Sequence, residues 1–222
     1  MKRLSPNLAA LPKPQQRLWP ELAQIPGYFT LYGGTALALR LGHRTSVDFD
    51  FFTNRGFDPQ RLQHDITFLR NAETVQMEPH TLTCRVERDG PVLVSFFGDL
   101  GLGLVEEPDL AEGNHLRVAS LLDLAGTKAA VVQKRAEAKD YLDFAALLAH
   151  GIDLPTALAA GKVVYGRSFN PVITLKALSY FDDVPQVPVE VRERLSAAVA
   201  AVDLAGLPLL KPFAPRAGDA EA

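Results

Sequence analysis

The chain has 222 residues, a formal net charge of −3 and one cysteine. That length can bury a substantial core, but the charge supplies no global basic field for nucleic acid, so any such partner must be held by a local patch. A single cysteine excludes an intramolecular disulfide, no cysteine–histidine cluster suits zinc, and no apolar run is long enough to span a membrane. Met1-Lys2-Arg3 leads into Pro- and Gln-containing sequence instead of a signal-peptide core, so a cytoplasmic protein is expected.

Residues 1–26 hold five prolines, of which Pro6, Pro12, Pro14 and Pro20 are spaced around a short apolar pattern ending at Trp19, which predicts a short N-terminal helix. Aromatic and β-branched residues in Tyr28-Phe29-Thr30-Leu31-Tyr32 predict a strand. Gly33-Gly34 then permits a backbone turn that side chains would block, and apolar residues at helical spacing predict a helix starting at Thr35, with Thr35 as N-cap. Val47-Asp48-Phe49-Asp50-Phe51 alternates with period two, so Val47, Phe49 and Phe51 are expected in the core and Asp48 and Asp50 on the opposite face.

Asp58-Pro59 is a cap and first-turn pair for a helix over 57–72. Beyond it the pattern turns strand-like, with a hairpin made by 81–87, a turn at Asp89-Gly90-Pro91, and 92–97; Cys84 falls on its first strand. The expected fold class is α+β: a small mixed β-sheet with helices on one face and a helical C-terminal part. The expected divisions are 1–117 for the sheet-bearing core with its N-terminal helix, 118–205 for the helical part, and 206–222 for a flexible tail.

The first chemical constellation joins Gly33-Gly34-Thr35 to Asp48-x-Asp50. Free amides at a helix start attract phosphate. Two carboxylates two residues apart on one strand repel each other unless a cation sits between them, and hard oxygen ligands suit Mg²⁺. Taken singly, Gly-Gly is equally a tight connection and Asp-x-Asp a solvated strand face; joined, they point to nucleotide chemistry.

A second constellation begins at Ser120 and Asp123, which resemble a capping box with Asp in place of Glu or Gln. On one continuous helix Lys128, Arg135 and Lys139 would fall within about 20° of a common line and form a basic stripe. Asp140 and Asp143 stand one turn apart beside it, followed by Phe144, Leu147 and Leu148 as a packing face. An ordinary solvated helix surface accounts for this charge pattern equally well. Arg40 reads as an exposed residue outside the catalytic set.

Gly33-Gly34-Thr35-Ala36-Leu37, Arg40, His43-Arg44, Ser46 and Asp48-Phe49-Asp50-Phe51-Phe52 resemble the first motif of the AbiEii-type nucleotidyltransferases, toxins of type IV toxin-antitoxin systems. Lys128, Arg135 and Lys139-Asp140-x-x-Asp143 resemble later segments of the same family, and Phe169–Asp183 resembles its C-terminal region, with packing as the expected role. The resemblance implies a DNA polymerase β-like fold, Mg²⁺ held by Asp48 and Asp50, and an NTP substrate. Gly33, Gly34, Thr35, Arg44, Ser46 and Arg135 would hold the nucleotide, and Lys128 would meet the triphosphate. Asp140 would complete the catalytic set with Asp48, Asp50 and Lys128, either by orienting Lys128 or by accepting a proton. It further implies an RNA acceptor, tRNA above all, and a cognate antitoxin.

Many enzymes of this superfamily carry a third carboxylate on a neighbouring strand, and the same alignment places Ser95 there. Two alternatives stand beside the transferase: a catalytically degenerate NTP-binding interaction protein, and a transferase acting on a small molecule or a protein hydroxyl. A structural or antitoxin-like partner would bind no NTP.

Overall fold

Alternating apolar and polar residues build one mixed sheet in the computed structural model, which describes residues 2–214. Its strands are β1 (Arg3–Leu4), β2 (Thr30–Tyr32), β3 (Phe49–Phe52), β4 (Glu73–Glu78), β5 (Thr81–Glu87), β6 (Pro91–Phe97), β7 (Asp109–Ala111) and β8 (Arg117–Val118). They lie in the order β1-β7-β8-β2-β3-β6-β5-β4. The sheet is wider than the small one expected, because β1, β7 and β8 are too short to show a period in sequence and β4 is exposed along most of its length. The hairpin of β5 and β6 forms as anticipated, with Cys84 buried on β5.

The chain divides into two units. Residues up to Gly101 with Pro108–Ala119 form the first, and Leu102–Glu107 with the chain from Ser120 onward form the second. In the first unit one sheet face is apolar: Leu31, Phe49, Phe51, Leu82, Val94 and Phe96 are fully buried. Phe96 stacks on Phe51 at 5.3 Å and meets Phe29 edge-on at 5.1 Å. A one-residue slip of β3 would expose Phe49 and Phe51, at about 1.5–3 kcal/mol each, and drive Asp50 into the core. The aromatic face therefore fixes the Asp50 carboxylate on the other side, whereas Asp48, expected on the strand, immediately precedes it. Val47 departs from the expected core position: it precedes the strand and is 50% exposed.

Helices α1 (Lys13–Leu18), α2 (Gly33–Leu41) and α3 (Pro59–Asp65) complete this unit. Asp58 caps α3 by accepting from the Arg61 N–H at 3.0 Å, but α3 stops short of the expected 57–72. Ile66 turns extended, and a short 3-10 turn follows at Thr67–Leu69. Helix α2 begins at Gly33 instead of Thr35, with Tyr32 as N-cap and no side-chain cap, because the Thr35 hydroxyl is engaged elsewhere. Arg40 is not exposed: it donates to the Ala119 carbonyl at 2.8 Å and pairs with Asp109 at 2.8 Å, tying α2 to the β7–β8 side of the sheet.

The second unit holds α4 (Leu121–Val131), α5 (Ala138–Ala149), α6 (Leu154–Tyr165), α7 (Pro171–Leu178) and α8 (Val189–Ala200). The Ser120 hydroxyl accepts from the Asp123 N–H at 3.0 Å, as the capping-box pattern anticipated. The Asp123 carboxylate in turn accepts from the Val105 and Glu106 amides at 2.8 and 3.1 Å, and burial pushes its pKa up. Gly126 lets α4 press on α6, since a Cβ there would sit 2.8 Å from the Ala160 backbone. The Phe169–Asp183 segment packs: Phe169 and Leu178 are buried, and the Tyr141 hydroxyl shares its one proton between the Ala177 and Tyr180 carbonyls. Part of the expected tail is anchored, because Ala214 pairs with Leu104; residues 215–222 lie outside the described residues. Among the described residues no single helix is long and apolar enough to cross a membrane.

Candidate active site

Where β2 ends, the chain turns through Gly33 at φ +72°, a conformation that favours glycine, and enters α2. A Cβ on Gly33 would lie 2.8 Å from Asp50 Oδ2. One on Gly34 would run into the Arg44 guanidinium and stand 3.2 Å from Ser46 Oγ. The two missing side chains thus leave bare backbone directly against a carboxylate, a guanidinium and a hydroxyl. The first turn of a helix opens at the same point, where free amides and the Arg44 guanidinium suit phosphate oxygens.

Thr35 locks that lining to the acidic strand. Its hydroxyl hydrogen-bonds the Asp48 carbonyl and lies 2.8 Å from Ser46 Oγ. One hydroxyl carries one proton, so with that proton on the Asp48 carbonyl, the Ser46 hydroxyl is the donor to Thr35. Asp48 and Asp50 are half-buried. Gly33, Gly34, Thr35, Arg44, Ser46, Asp48 and Asp50 therefore come together in the first unit.

The register of β3 and β6 pairs Asp50 with Ser95, and that of β5 and β6 pairs Ser95 with Thr83, whose hydroxyl donates to Ser95 at 3.2 Å. Ser95 occupies the strand position beside Asp50, and its neighbour is neutral as well. Among the described residues no group of three His, Cys, Asp or Glu side chains is placed to hold a metal ion. Two carboxylates against bare glycine backbone still fit Mg²⁺, which takes one or two protein carboxylates and completes its shell with water and phosphate. Cys84 offers no softer ligand, since burial pushes its thiol up to about 11.

Lys128, Arg135, Asp140 and Asp143 cluster in the second unit, but not as a basic stripe. On one helix Lys128 and Asp140 would be roughly 18 Å apart, twelve residues at 1.5 Å each. Instead α4 ends at Val131, residues 132–137 turn, and α5 brings Asp140 to 2.8 Å and Asp143 to 2.5 Å from the Lys128 ammonium. The Arg135 guanidinium reaches Asp140 at 2.9 Å and Glu137 at 3.2 Å, and Lys139 pairs with Glu137 at 2.8 Å. Both aspartate side chains are fully buried and the lysine is 5% exposed. Two buried carboxylates balance Lys128 and Arg135, which is the condition for keeping such charges out of water. Asp143 is a full member of this cluster although sequence spacing gave it no role of its own; its signal was the one-turn interval from Asp140.

The model for the family described as nucleotidyl transferase AbiEii toxin, type IV toxin-antitoxin system, matches residues 21–206. An uncharacterised protein of Aquifex aeolicus (strain VF5) is 35% identical over 158 residues, covering 70% of this chain and 74% of that protein. Among solved structures, MenT4, a nucleotidyltransferase toxin of Mycobacterium tuberculosis H37Rv, superposes with a TM-score of 0.56 at 19% identity, over 86% of this chain and 83% of that one. A putative nucleotidyltransferase of H. pylori superposes with a TM-score of 0.53 at 17% identity, over 85% and 91% of the two chains. At these identities the two structures establish the shared fold.

Proposed function

The chain belongs to the AbiEii nucleotidyltransferase toxin family of type IV toxin-antitoxin systems, and we propose that it transfers a nucleoside monophosphate from an NTP to a hydroxyl of RNA, most specifically tRNA, with Mg²⁺ as cofactor. The observation that carries this reading is the close approach of the Gly33–Gly34 backbone to Asp50, Arg44 and Ser46. Gly33, Gly34 and Thr35 would seat the triphosphate, with Arg44 donating to its oxygens and Ser46, whose proton is given to Thr35, holding the edge of the cradle in place. Asp48 and Asp50 would hold Mg²⁺, whose chemistry is to offset phosphate charge as the α–β bond breaks.

The acceptor hydroxyl attacks the α-phosphorus and pyrophosphate leaves. Lys128 and Arg135 would supply positive charge, and Asp140 would orient Lys128 or take the hydroxyl proton. The double pairing of Lys128 with Asp140 and Asp143 supports the orienting role. The RNA must be held by a local patch, given the net charge of −3. The cognate antitoxin is the second partner, and the cytoplasm, where NTPs and tRNA meet, is the site of action.

One observation favours a second reading, a degenerate NTP-binding protein of the same fold: the neutral Ser95–Thr83 pair beside Asp50. The test incubates the protein with each α-labelled NTP, Mg²⁺ and total RNA and resolves the products. Label on an RNA band, lost in Asp48→Ala with the fold intact, is the expected result. Mg²⁺-dependent NTP binding without transfer would select the second reading, and unchanged transfer by Asp48→Ala would sink the metal assignment. Label on protein or on a small molecule would replace the acceptor alone.

A further inference from the structure

The segment ahead of α2 grips the loop that leads to Asp48. The Asn7 N–H donates to the Leu39 carbonyl at 2.7 Å, and the Asn7 side chain fills the space a Cβ on Gly42 would need. The Ser46 N–H donates to the Ala10 carbonyl at 3.3 Å, and Gln15 Nε2 donates to the Val47 carbonyl at 2.6 Å. All three gripping residues precede residue 21, where the family match begins. From Gly42 to Asp48 the chain has no regular secondary structure, and Val47 points outward, so core packing does not set the path of its peptide.

Gln15 is 3% exposed, and its Oε1 is buried with no hydrogen-bond partner among the described residues. A half-satisfied buried amide costs stability, and an apolar side chain of equal length would avoid that cost. Filling the core does not account for an amide here. What the amide supplies is a donor to the carbonyl one residue before Asp48, on the side of the chain opposite the Thr35 hydroxyl's hold on the Asp48 carbonyl in sequence order. Two successive carbonyls of the loop are thus pinned, one from α1 and one from α2.

We propose that Gln15 is a positioning residue, which holds the Val47 carbonyl and thereby sets the Asp48 carboxylate for a divalent cation. This rests on the reading of Asp48 as a metal ligand. A carboxylate whose backbone is free to rock spends part of its binding free energy on being fixed, so loss of the clamp weakens cation binding and leaves the chemistry of the filled site largely in place.

The experiment is a Mg²⁺ titration of label transfer by Gln15→Met, at saturating NTP, beside wild type and Asp48→Asn, with thermal midpoints for all three. Expected is a half-saturating Mg²⁺ concentration about three- to tenfold higher in Gln15→Met, the scale of one net hydrogen bond. The rate should recover at high Mg²⁺, and the midpoint should change little, because relief of the orphan oxygen offsets the hydrogen bond lost to the Val47 carbonyl. Asp48→Asn should be inactive throughout. An inactive Asp48→Asn with wild-type Mg²⁺ dependence in Gln15→Met overturns the positioning role alone, as does a Gln15→Met whose activity falls equally at every Mg²⁺ concentration. An active Asp48→Asn overturns the site reading itself. Should Gln15→Met be insoluble, Gln15→Leu is read in the same way; insolubility of both assigns Gln15 to the fold and overturns the proposal.

Discussion

Gly34→Ala separates stability from activity at one atom. Gly34 lies in the first turn of α2 at an ordinary φ, so an added Cβ costs the backbone nothing and gains up to about 1 kcal/mol of helix propensity. Its obstacle is the end of the Arg44 side chain, with Ser46 Oγ at 3.2 Å. A flexible guanidinium can swing aside cheaply, and the thermal midpoint should stay within about 4 °C of wild type. If Arg44 holds phosphate as proposed, the displaced guanidinium loses a charge-assisted bond of about 1.5–3 kcal/mol, or about 10- to 150-fold in kcat/KM for the NTP. The assay is steady-state label transfer by Gly34→Ala, Arg44→Ala and the double variant, beside thermal melts. Since both substitutions remove the same contact, the double variant should be no worse than Arg44→Ala alone. Independent, multiplying losses, or wild-type kinetics in Gly34→Ala, would refute the cradle.

Lys128→Met removes the buried ammonium that both Asp140 and Asp143 contact, so a loss of about 3–5 kcal/mol is expected in thermal or denaturant unfolding; Asp143→Asn in the same chain should recover part of it. Ser95→Asp places a third carboxylate beside Asp50. In EDTA its midpoint should fall below wild type through repulsion, and Mg²⁺ should raise it by more than it raises wild type. The Glu21–Arg88 pair, with contacts of 2.6 and 2.8 Å, lowers the Glu21 pKa through the Arg88 hydrogen bond. A folded pKa below the unfolded one gives stability that is present above about pH 4.5 and lost as pH falls through the lowered value. The stability gap between wild type and Glu21→Gln should therefore be at most about 1 kcal/mol at pH 7, shrink with salt, and close in acid.

The first constellation was legible because its logic is local. Gly33-Gly34 and the alternation of Phe49 and Phe51 with Asp48 and Asp50 sit within nineteen residues, and both the glycine turn and the period-two strand follow from steric rules that neighbours cannot easily override. The capping of α4 by Ser120 and of α3 by Asp58 was legible for the same reason. Thr35 misled, because a threonine before an apolar run signals an N-cap, while a carbonyl thirteen residues away competes for the same hydroxyl. Val47 misled because alternation does not mark where a strand begins.

By itself the sequence pointed to residues whose types suit phosphate chemistry, and it set Asp50 on the face of β3 opposite Phe49 and Phe51. Tertiary structure alone decided that α4 and α5 break so that Lys128 meets Asp140 and Asp143, that Ser95 pairs with Asp50, that Arg40 is an internal tie to Asp109, and that Gln15 holds the Val47 carbonyl. Each of these joins residues at least twelve apart. A helix period or a strand alternation carries no record of where the chain folds back, whereas the cost of leaving a buried charge unpaired is met only by the partner that the completed fold supplies.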